Sequence, residues 1–372
     1  MDKPQKKLTI LSLQYHCYPD EIGGAWGLTY QINKRLVERG HKVYQITCKS
    51  SETQKSQEVI DGIQYHRISY TASKSIISIW NAIRKQLRII LRAEPIHLIH
   101  IHNPLIGFIA LLQPNLWKVP KVYHFHSSWF DEERINAVGT GGVPLGLKLR
   151  LEMIRGMEWA CYKFSRVILI LSEYSKERFK EYYSLSKPKL VKIPGGVDLK
   201  EFHPITSEEN RGDIFERLNL GEIIPLILTV RRLEERMGLE NLVLAAEILV
   251  KKNPGRKFKL VIVGKGSLRE RLENLIEKKN LSDTVQLSGL VPRETLPLYF
   301  RAADLFVLPT TAIEGFGLVT AEAFASGLPV MGTPVGATKE LLALVDHDLI
   351  FEGSTPESLA KGIEKFLTNP DY

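Results

Sequence analysis

The stretch that most constrains the fold runs from Pro309 to Leu342. An apolar run, Ala303 to Leu308, halts at Pro309; a polar turn carrying Glu314 follows, then Gly315-Phe316-Gly317, then an amphipathic stretch whose Leu318, Ala321, Glu322 and Ala325 fall on one helical face. This order predicts a strand, a glycine turn and a helix start. Glycines at such a turn let main-chain N–H groups approach an anion, and a helix N-terminus adds about half a positive charge to hold it. Two acids flank the turn. Glu322, about one turn into the helix, is expected to be kept ionised by the helix dipole and to accept hydrogen bonds from vicinal hydroxyls such as those of a ribose. Glu314, before the helix, can meet a second polyol across the phosphate. Either acid alone reads as readily as a solvated surface residue; their placement about one glycine turn is what points to a ligand.

The same alternation occurs twice along the 372 residues, a length that suits about two domains. In the first half, Lys7 to Leu13 reads as a buried strand, Gly23-Gly24 opens a helix through Arg39 with Leu28, Ile32, Leu36 and Val37 inward, and Val43 to Cys48 is the next strand. Strand, glycine turn, helix and strand begin a doubly wound sheet, whose ligands lie outside the carboxyl ends of the strands. Gly23 and Gly24 therefore face a ligand crevice. No GxGxxG follows, which argues against a dinucleotide site and a nicotinamide-dependent dehydrogenase. Further strands are expected at Val59 to Ile68, His97 to Ile101, Lys121 to Phe125, Val167 to Leu171 and Leu190 to Ile193. Period-two alternation puts His124 and His126 on one face, with His126 at the strand's carboxyl end. His100 and His102 repeat the HxH pattern, but no carboxylate spacing accompanies them, and they are read with His124 as structural.

The second half restarts with a strand from Pro225 to Val230, then Arg231-Arg232-Leu233-Glu234-Glu235-Arg236-Met237-Gly238 and a helix through about Lys251. Cations just beyond a strand's carboxyl end can neutralise a diphosphate, and Arg232 and Arg236, four residues apart, are the pair expected to do so. Phe258 to Val263 leads into Gly264-Lys265-Gly266, and Val285 to Gly289 exits at Leu290.

Charge is uneven along the chain. Through Lys200 there are thirty Lys and Arg against seventeen Asp and Glu; beyond it there are twenty against twenty-five. A basic first half points to an anionic partner. Two amphipathic stretches concentrate the cations: Ile76 to Arg92, with Arg84, Lys85, Arg88 and Arg92, and Pro144 to Phe164, with Lys148, Arg150, Arg155 and Lys163. Both fit a helix lying on an anionic membrane surface or facing a charged acceptor, and both fit a solvated helix. No aromatic stacking platform or helix-turn-helix pattern is present, so nucleic acid is not expected as a partner. Ile96 to Trp117 is too interrupted by His97, His100, His102, Asn103 and Pro104 to span a bilayer. Cys17, Cys48 and Cys161, an odd number without CxxC spacing, imply neither a disulfide framework nor a zinc site, and a cytoplasmic location is expected, with peripheral contact at the inner face of the plasma membrane.

The segment Glu314 to Glu322 resembles the E-x7-E signature of the retaining family 4 glycosyltransferases of GT-B fold, and Gly327-Leu328-Pro329-Val330 and Gly332-Thr333-Pro334-Val335-Gly336 match its continuation. Pro194-Gly195-Gly196-Val197-Asp198 resembles the P-x-G-V-D turn that ends the family's first domain, and Gly264 to Leu268 its G-x-G-x-L turn. The resemblance covers nearly the whole chain. It implies two Rossmann-like doubly wound domains facing each other across a cleft, here 1–202 and 214–372 with a linker at 203–213. It implies a nucleotide-sugar donor, UDP-sugar favoured over GDP- or ADP-sugar, and a glycan, lipid-linked or small-molecule acceptor in polysaccharide or glycolipid synthesis, with no bound cofactor or metal required. Glu322 would hold the ribose and Glu314 the transferred sugar. Arg232 and Arg236, with N–H groups of Gly315, Phe316, Gly317 and Leu318, would hold the diphosphate. Gly23, Gly24 and Gly264 would line the donor site, Leu290 would meet the base through its backbone, and His126 would contact a sugar. One position departs: the family pattern R-L-x-x-x-K-G has lysine where this chain has Met237, and Arg236 is expected to supply the missing charge. The family's closing helix, which returns to the first domain, has no counterpart before Tyr372. A nucleotide-sugar 2-epimerase of similar fold and a catalytically silent sugar-nucleotide-binding module are the other readings.

Overall fold

A computed structural model describes residues 6–69, 76–138, 145–185 and 189–369. The chain divides into two units between Pro194 and Gly195. Phe202, expected to end the first domain, stacks edge-on against Phe300 of the second unit, and Arg211 of the expected linker donates to the Ala302 carbonyl and pairs with Asp304 at 2.5 Å.

The first unit holds an eight-stranded sheet built from β1 (Thr9–Leu13), β2 (Lys42–Cys48), β3 (Gln57–Ile60), β4 (Ile63–Ile68), β5 (Leu98–Ile101), β6 (Lys121–Phe125), β7 (Val167–Ile170) and β8 (Lys189–Lys192). Their order is β3-β4-β2-β1-β5-β6-β7-β8, parallel except for β3. Where one strand was expected from Val59 to Ile68 there is a hairpin. Asp61 and Gly62, both at positive φ, make the two-residue turn that an Asp-Gly pair favours. Between the strands run α1 (Gly24–Glu38), α2 (Ile76–Ala93), α3 (Pro104–Leu111), α4 (Trp129–Val138), α5 (Leu145–Lys163) and α6 (Glu173–Tyr182). Pro144, expected to open α5, lies outside the described residues.

Alternation along β1 assigns its two faces. Leu11 and Leu13 pack with Ile79, Ile83 and Leu87 of α2 and with Ile106 and Ile109 of α3, while Ile10 packs with Tyr30 of α1 and Val43 of β2. Each fully buried side chain of this size contributes about 1.5–3 kcal/mol. The inner face of α1 is not the aliphatic set expected: Thr29, Tyr30 and Asn33 are its buried residues, and Leu28 and Ile32 are only half-buried. Asn33 donates to Ser12 at 3.0 Å and to Gln45 at 2.8 Å, so a hydrogen-bonded polar seam joins the helix to β1 and β2. A helical period marks which residues turn inward only when those residues are apolar, and here they are not.

The second unit opens with α7 (Arg211–Arg217). It is a five-stranded parallel sheet of β9 (Leu226–Val230), β10 (Lys259–Val263), β11 (Val285–Gly289), β12 (Leu305–Leu308) and β13 (Val330–Gly332), in the order β11-β10-β9-β12-β13. Ile227, Leu260, Ile262, Leu305 and Val307 face α8 (Leu239–Lys252), α9 (Arg269–Lys278) and α13 (Pro356–Thr368); Leu226, Leu228, Val261, Phe306 and Leu308 face α7, α10 (Leu296–Ala302), α11 (Leu318–Ala325) and α12 (Thr338–Ala343). Both units are therefore Rossmann-like α/β layers, as the sequence led us to expect.

Candidate functional site

In each sheet the chain leaves the centre first to one side and then to the other, and the two strands at that reversal leave a crevice at their carboxyl ends. In the second unit the reversal falls between β9 and β12, the strands that deliver Arg231 to Gly238 and Thr310 to Gly317. In the first it falls between β1 and β5, the strands before Gly23-Gly24 and His102.

Close backbone approaches build the second-unit site. A Cβ at Gly264 would stand 1.8 Å from the Arg231 carbonyl oxygen, and one at Gly266 2.3 Å from that of Leu233. The G-x-G turn thus lies flat against residues 231–233, with Arg231 N–H donating to Val263 and Leu233 N–H to Lys265 at 2.9 Å each. Gly238, at φ +70°, passes Pro309, where a Cβ would sit 1.9 Å from the carbonyl oxygen. Gly336 passes under Glu314, where a Cβ would stand only 2.5 Å from the Glu314 carbonyl oxygen, and Ala337 N–H donates to that carbonyl at 2.8 Å. The Gly332-to-Gly336 stretch is therefore the floor under Glu314. Ile313, immediately before it, has φ +52°, a conformation that a β-branched residue adopts only under constraint and that concentrates at functional sites.

Gly317 takes the left-handed conformation at the start of α11, whose N-terminus carries neither a side-chain cap nor an acid in its first turn. Such an end presents main-chain donors to an anion. Gly315, Phe316, Gly317 and Leu318 form this end. Phe316 is buried, and its ring and the Leu318 side chain each stand 2.7 Å from where a Cβ on Gly195 would be.

The four charged residues are not equivalent. Glu314, nearly buried, pairs with Arg231 at 2.7 Å. Arg232 is exposed. Arg236 is buried, and its Nη1 donates to the Ile313 carbonyl at 3.0 Å, so that guanidinium braces the strained residue. Glu322 departs from expectation. It lies beyond the first turn of α11, and burial pushes its carboxyl up to about 7; the Arg293 guanidinium opposes that shift and the Glu201 carboxylate adds to it. Arg293 and Glu201 pair with each other at 2.7 Å. The dipole is thus outweighed by desolvation, and the group is poised between its two forms near neutrality. Leu290 is exposed just past β11, and Gly264 N–H donates to the Gly289 carbonyl beside it at 2.8 Å.

Three residues of this site are not marked by the sequence pattern. Arg231 was passed over for its neighbour, although only alternation beyond β9 could have said which of two adjacent arginines turns inward. The Glu201–Arg293 pair joins positions 92 apart, and no local pattern marks it.

In the first unit, Gly23 caps α1, where a Cβ would press on the Trp26 ring at 2.7 Å, and Gly24 is the first helical residue. The preceding loop is anchored by Asp20, whose carboxylate takes two bonds from the buried Arg67 at 2.6 and 2.8 Å. His126 stacks on His124 with ring centroids 4.5 Å apart and planes 7° apart, and its Nε2 lies 3.2 Å from Nδ1 of His102. His100 completes a four-imidazole stack. Burial pushes His100 down to about 3 and His124 to about 4 and holds His102 and His126 well below the ordinary histidine value, so all four are neutral. One nitrogen from each of His100, His102 and His124 lies within 4.8 Å of the others, the one grouping among the described residues with that property. Their ring planes are inclined to one another by 22–44°. Asp346 and Asp348, which the sequence sets as a D-x-D about His347, are engaged with their neighbours: Asp346 accepts from Asp348 N–H, and Asp348 pairs with Lys365 at 3.0 Å.

The cysteines are buried and unpaired, as expected. No helix among the described residues is long and apolar enough to cross a membrane.

Residues 22–201 match the family described as Glycosyltransferase Family 4, and residues 210–372 the family described as Glycosyl transferases group 1. The D-inositol 3-phosphate glycosyltransferase of Thermobifida fusca is 27% identical over 370 residues, which span 95% of this chain and 82% of the relative. Sucrose-phosphate synthase of Thermosynechococcus elongatus shares the fold with a TM-score of 0.80 at 22% identity, over 98% of this chain and 91% of that one. The HepE protein of Anabaena, solved in complex with UDP and glucose, gives 0.72 at 17% identity over the same shares. Two family matches that between them take in both units, laid on two Rossmann-like sheets with their glycine turns at the points of reversal, make the chain a member of glycosyltransferase family 4 with the GT-B fold.

Proposed function

We propose that this glycosyltransferase moves a sugar from a nucleoside-diphosphate sugar to a glycan, lipid-linked or small-molecule acceptor with retention of anomeric configuration. The observation that carries this reading is the uncapped N-terminus of α11 at the β9/β12 reversal, with Glu314 on one side and Glu322 on the other. An anion fits the helix end, and an acceptor-only group stands on either side of it for the two polyols that a sugar nucleotide carries.

In this reading Glu322 accepts from the ribose hydroxyls and Glu314 from hydroxyls of the transferred sugar. Main-chain N–H groups of Gly315 to Leu318 hold the diphosphate, Arg232 supplies a mobile cation from the exposed side, and Arg236 keeps the Ile313–Glu314 turn in place. The backbone at Leu290 meets the base, Gly264 gives the wall its close approach, and His126, neutral, offers a hydrogen bond to a sugar hydroxyl. The glycosidic carbon–oxygen bond to the diphosphate breaks, its electron pair passing to the phosphate oxygen. The acceptor oxygen attacks from that same side, and its proton goes to the departing diphosphate. Fixed donors stabilise the charge that develops there without having to reorient. The reaction is proposed to proceed without a metal or cofactor. UDP is favoured as the nucleotide, with support from the Anabaena protein's complex.

A membrane-bound acceptor is favoured by α5. Its outward Leu145, Leu149 and Met153 are exposed, and Lys148 and Arg155 on one edge and Arg150 on the other bracket them. This supports peripheral contact with anionic lipid on the cytoplasmic side.

The test is the melting temperature of the wild type and of Glu322→Ala with UDP, GDP and ADP in turn. A ligand at about a hundred times its dissociation constant stabilises by about 2.7 kcal/mol. One nucleotide should shift the wild type and lose its effect in the variant. No shift with any of them would overturn the reading. Product formed from donor without acceptor would instead favour epimerisation.

A further inference from the structure

The sequence leaves one cation unaccounted for, and we infer that Arg231 supplies it: its guanidinium contacts the departing diphosphate from the end of β9, at the place a lysine at position 237 would reach. This rests on the nucleotide-sugar reading above.

Three observations carry it. First, the main chain of Arg231 is fixed on both sides, its N–H bound to Val263 and its carbonyl closed over by Gly264, so the side chain has a set starting point and direction. Secondly, Nη1 lies 2.7 Å from the Glu314 carboxylate and Nη2 2.7 Å from the Met237 sulfur. The head of Arg231 and the tip of the side chain at 237 therefore meet at one point: a positive charge carried on either residue would stand in the same place. Thirdly, the guanidinium has donors to spare. It is buried, its Nε has no acceptor, and one of its two described neighbours is a thioether, a weak acceptor at best. A buried donor left unpaired is costly, and a guanidinium in that position seeks an acceptor-rich planar or tetrahedral anion.

As the glycosidic bond breaks, one further unit of negative charge collects on the diphosphate. Glu314 neutralises Arg231 while the site is empty. When donor arrives, the sugar hydroxyls give that carboxylate new hydrogen bonds, and the guanidinium turns its remaining donors to phosphate oxygen. Arg231 is thus both a contact of the leaving group and the residue that holds Glu314 in place. Arg236, the residue expected to replace the lysine, is committed to the Ile313 carbonyl.

The experiment compares Arg231→Met, Met237→Lys and the double variant with the wild type. For whichever of UDP, GDP and ADP binds the wild type, affinity is measured by calorimetry for the diphosphate and for its monophosphate. Arg231→Met should weaken the diphosphate at least tenfold more than the monophosphate, and adding Met237→Lys should recover most of that loss. Because Arg231→Met leaves Glu314 buried without its partner, Arg231→Met/Glu314→Gln is compared with Glu314→Gln as a charge-neutral pair; the same selective loss of diphosphate affinity is expected. Equal weakening of both nucleotides, or no recovery with Met237→Lys in a protein whose unliganded melting temperature is unchanged, would overturn the role of Arg231 alone. Binding of no nucleotide to the wild type would overturn the nucleotide-sugar reading, and this one with it.

Discussion

Glu322 makes the pH behaviour of the site testable at the level of one carboxyl. Its folded-state value of about 7 lies above the unfolded value of 4.5, so the folded protein holds a proton that the unfolded chain releases, and the stability this contributes is lost as pH rises through that window. Glu322→Gln should therefore melt with the wild type near pH 5 and above it at pH 8, as scanning calorimetry will show. With nucleotide present the order reverses at pH 8, because hydroxyl donors favour the carboxylate; wild-type affinity should weaken as pH falls below about 7 while that of the variant stays level. Gly336 gives a second prediction at this scale. A methyl group there collides with the Glu314 main chain, so Gly336→Ala should destabilise by about 1–3 kcal/mol and abolish the nucleotide-induced melting shift. The acids and glycines of this turn were legible in the sequence because their spacing is local. That Glu322 would be desolvated was not legible, since the neighbours that bury it and set its balance, Glu201 and Arg293 among them, come from distant positions.

At the scale of elements, the imidazole stack on β5 and β6 is a store of acid sensitivity. Each histidine is neutral when folded and titrates near 6.5 when unfolded, so the unfolded state gains protons as pH drops below 6.5, and each residue removes up to about 1.4 kcal/mol per pH unit until its own low value is reached. His124→Asn should flatten the stability profile between pH 6 and 4.5 by about one proton, measured by urea titration at several pH values. Period-two spacing foretold that His124 shares a face with His126; only the pairing of β5 with β6 brings His100 and His102 onto it. The outward strip of α5 predicts that Leu149→Glu/Met153→Glu will reduce sedimentation with phosphatidylglycerol vesicles at least tenfold while binding to neutral phosphatidylcholine vesicles stays low throughout. The sequence showed these residues as an amphipathic helix with a basic side, but a helical period alone does not say which of its apolar positions remain in water.

For the whole molecule, the division between Pro194 and Gly195 gives each unit its own buried core and its own electrostatic character. The acid-sensitive histidines belong to the first and the turn proposed to hold the diphosphate to the second. Calorimetric unfolding should accordingly resolve two contributions on going from pH 7 to pH 5: the one that falls is insensitive to nucleotide at fixed pH, and the one that rises with nucleotide at pH 7 does not fall with acid, because protonation of Glu322 favours its folded state. Doubly wound architecture was readable throughout, because apolar runs ending in glycine turns recur at regular intervals. The exact boundary was not, because Phe202 reads as the end of the first domain and Arg211 as linker until their partners, Phe300 and Asp304, are in place.

Arg236 joins the two turns of the second-unit site in both directions, its own carbonyl accepting from Thr311 N–H at 2.9 Å and its guanidinium giving to the carbonyl of Ile313. A loop closed by opposed bonds of this kind stores the alignment of the donors before any reactant is present. The solvent around a diphosphate in water must reorient each time charge shifts; in the proposed role the dipoles of this loop would already be fixed, their orienting cost met when the chain folded.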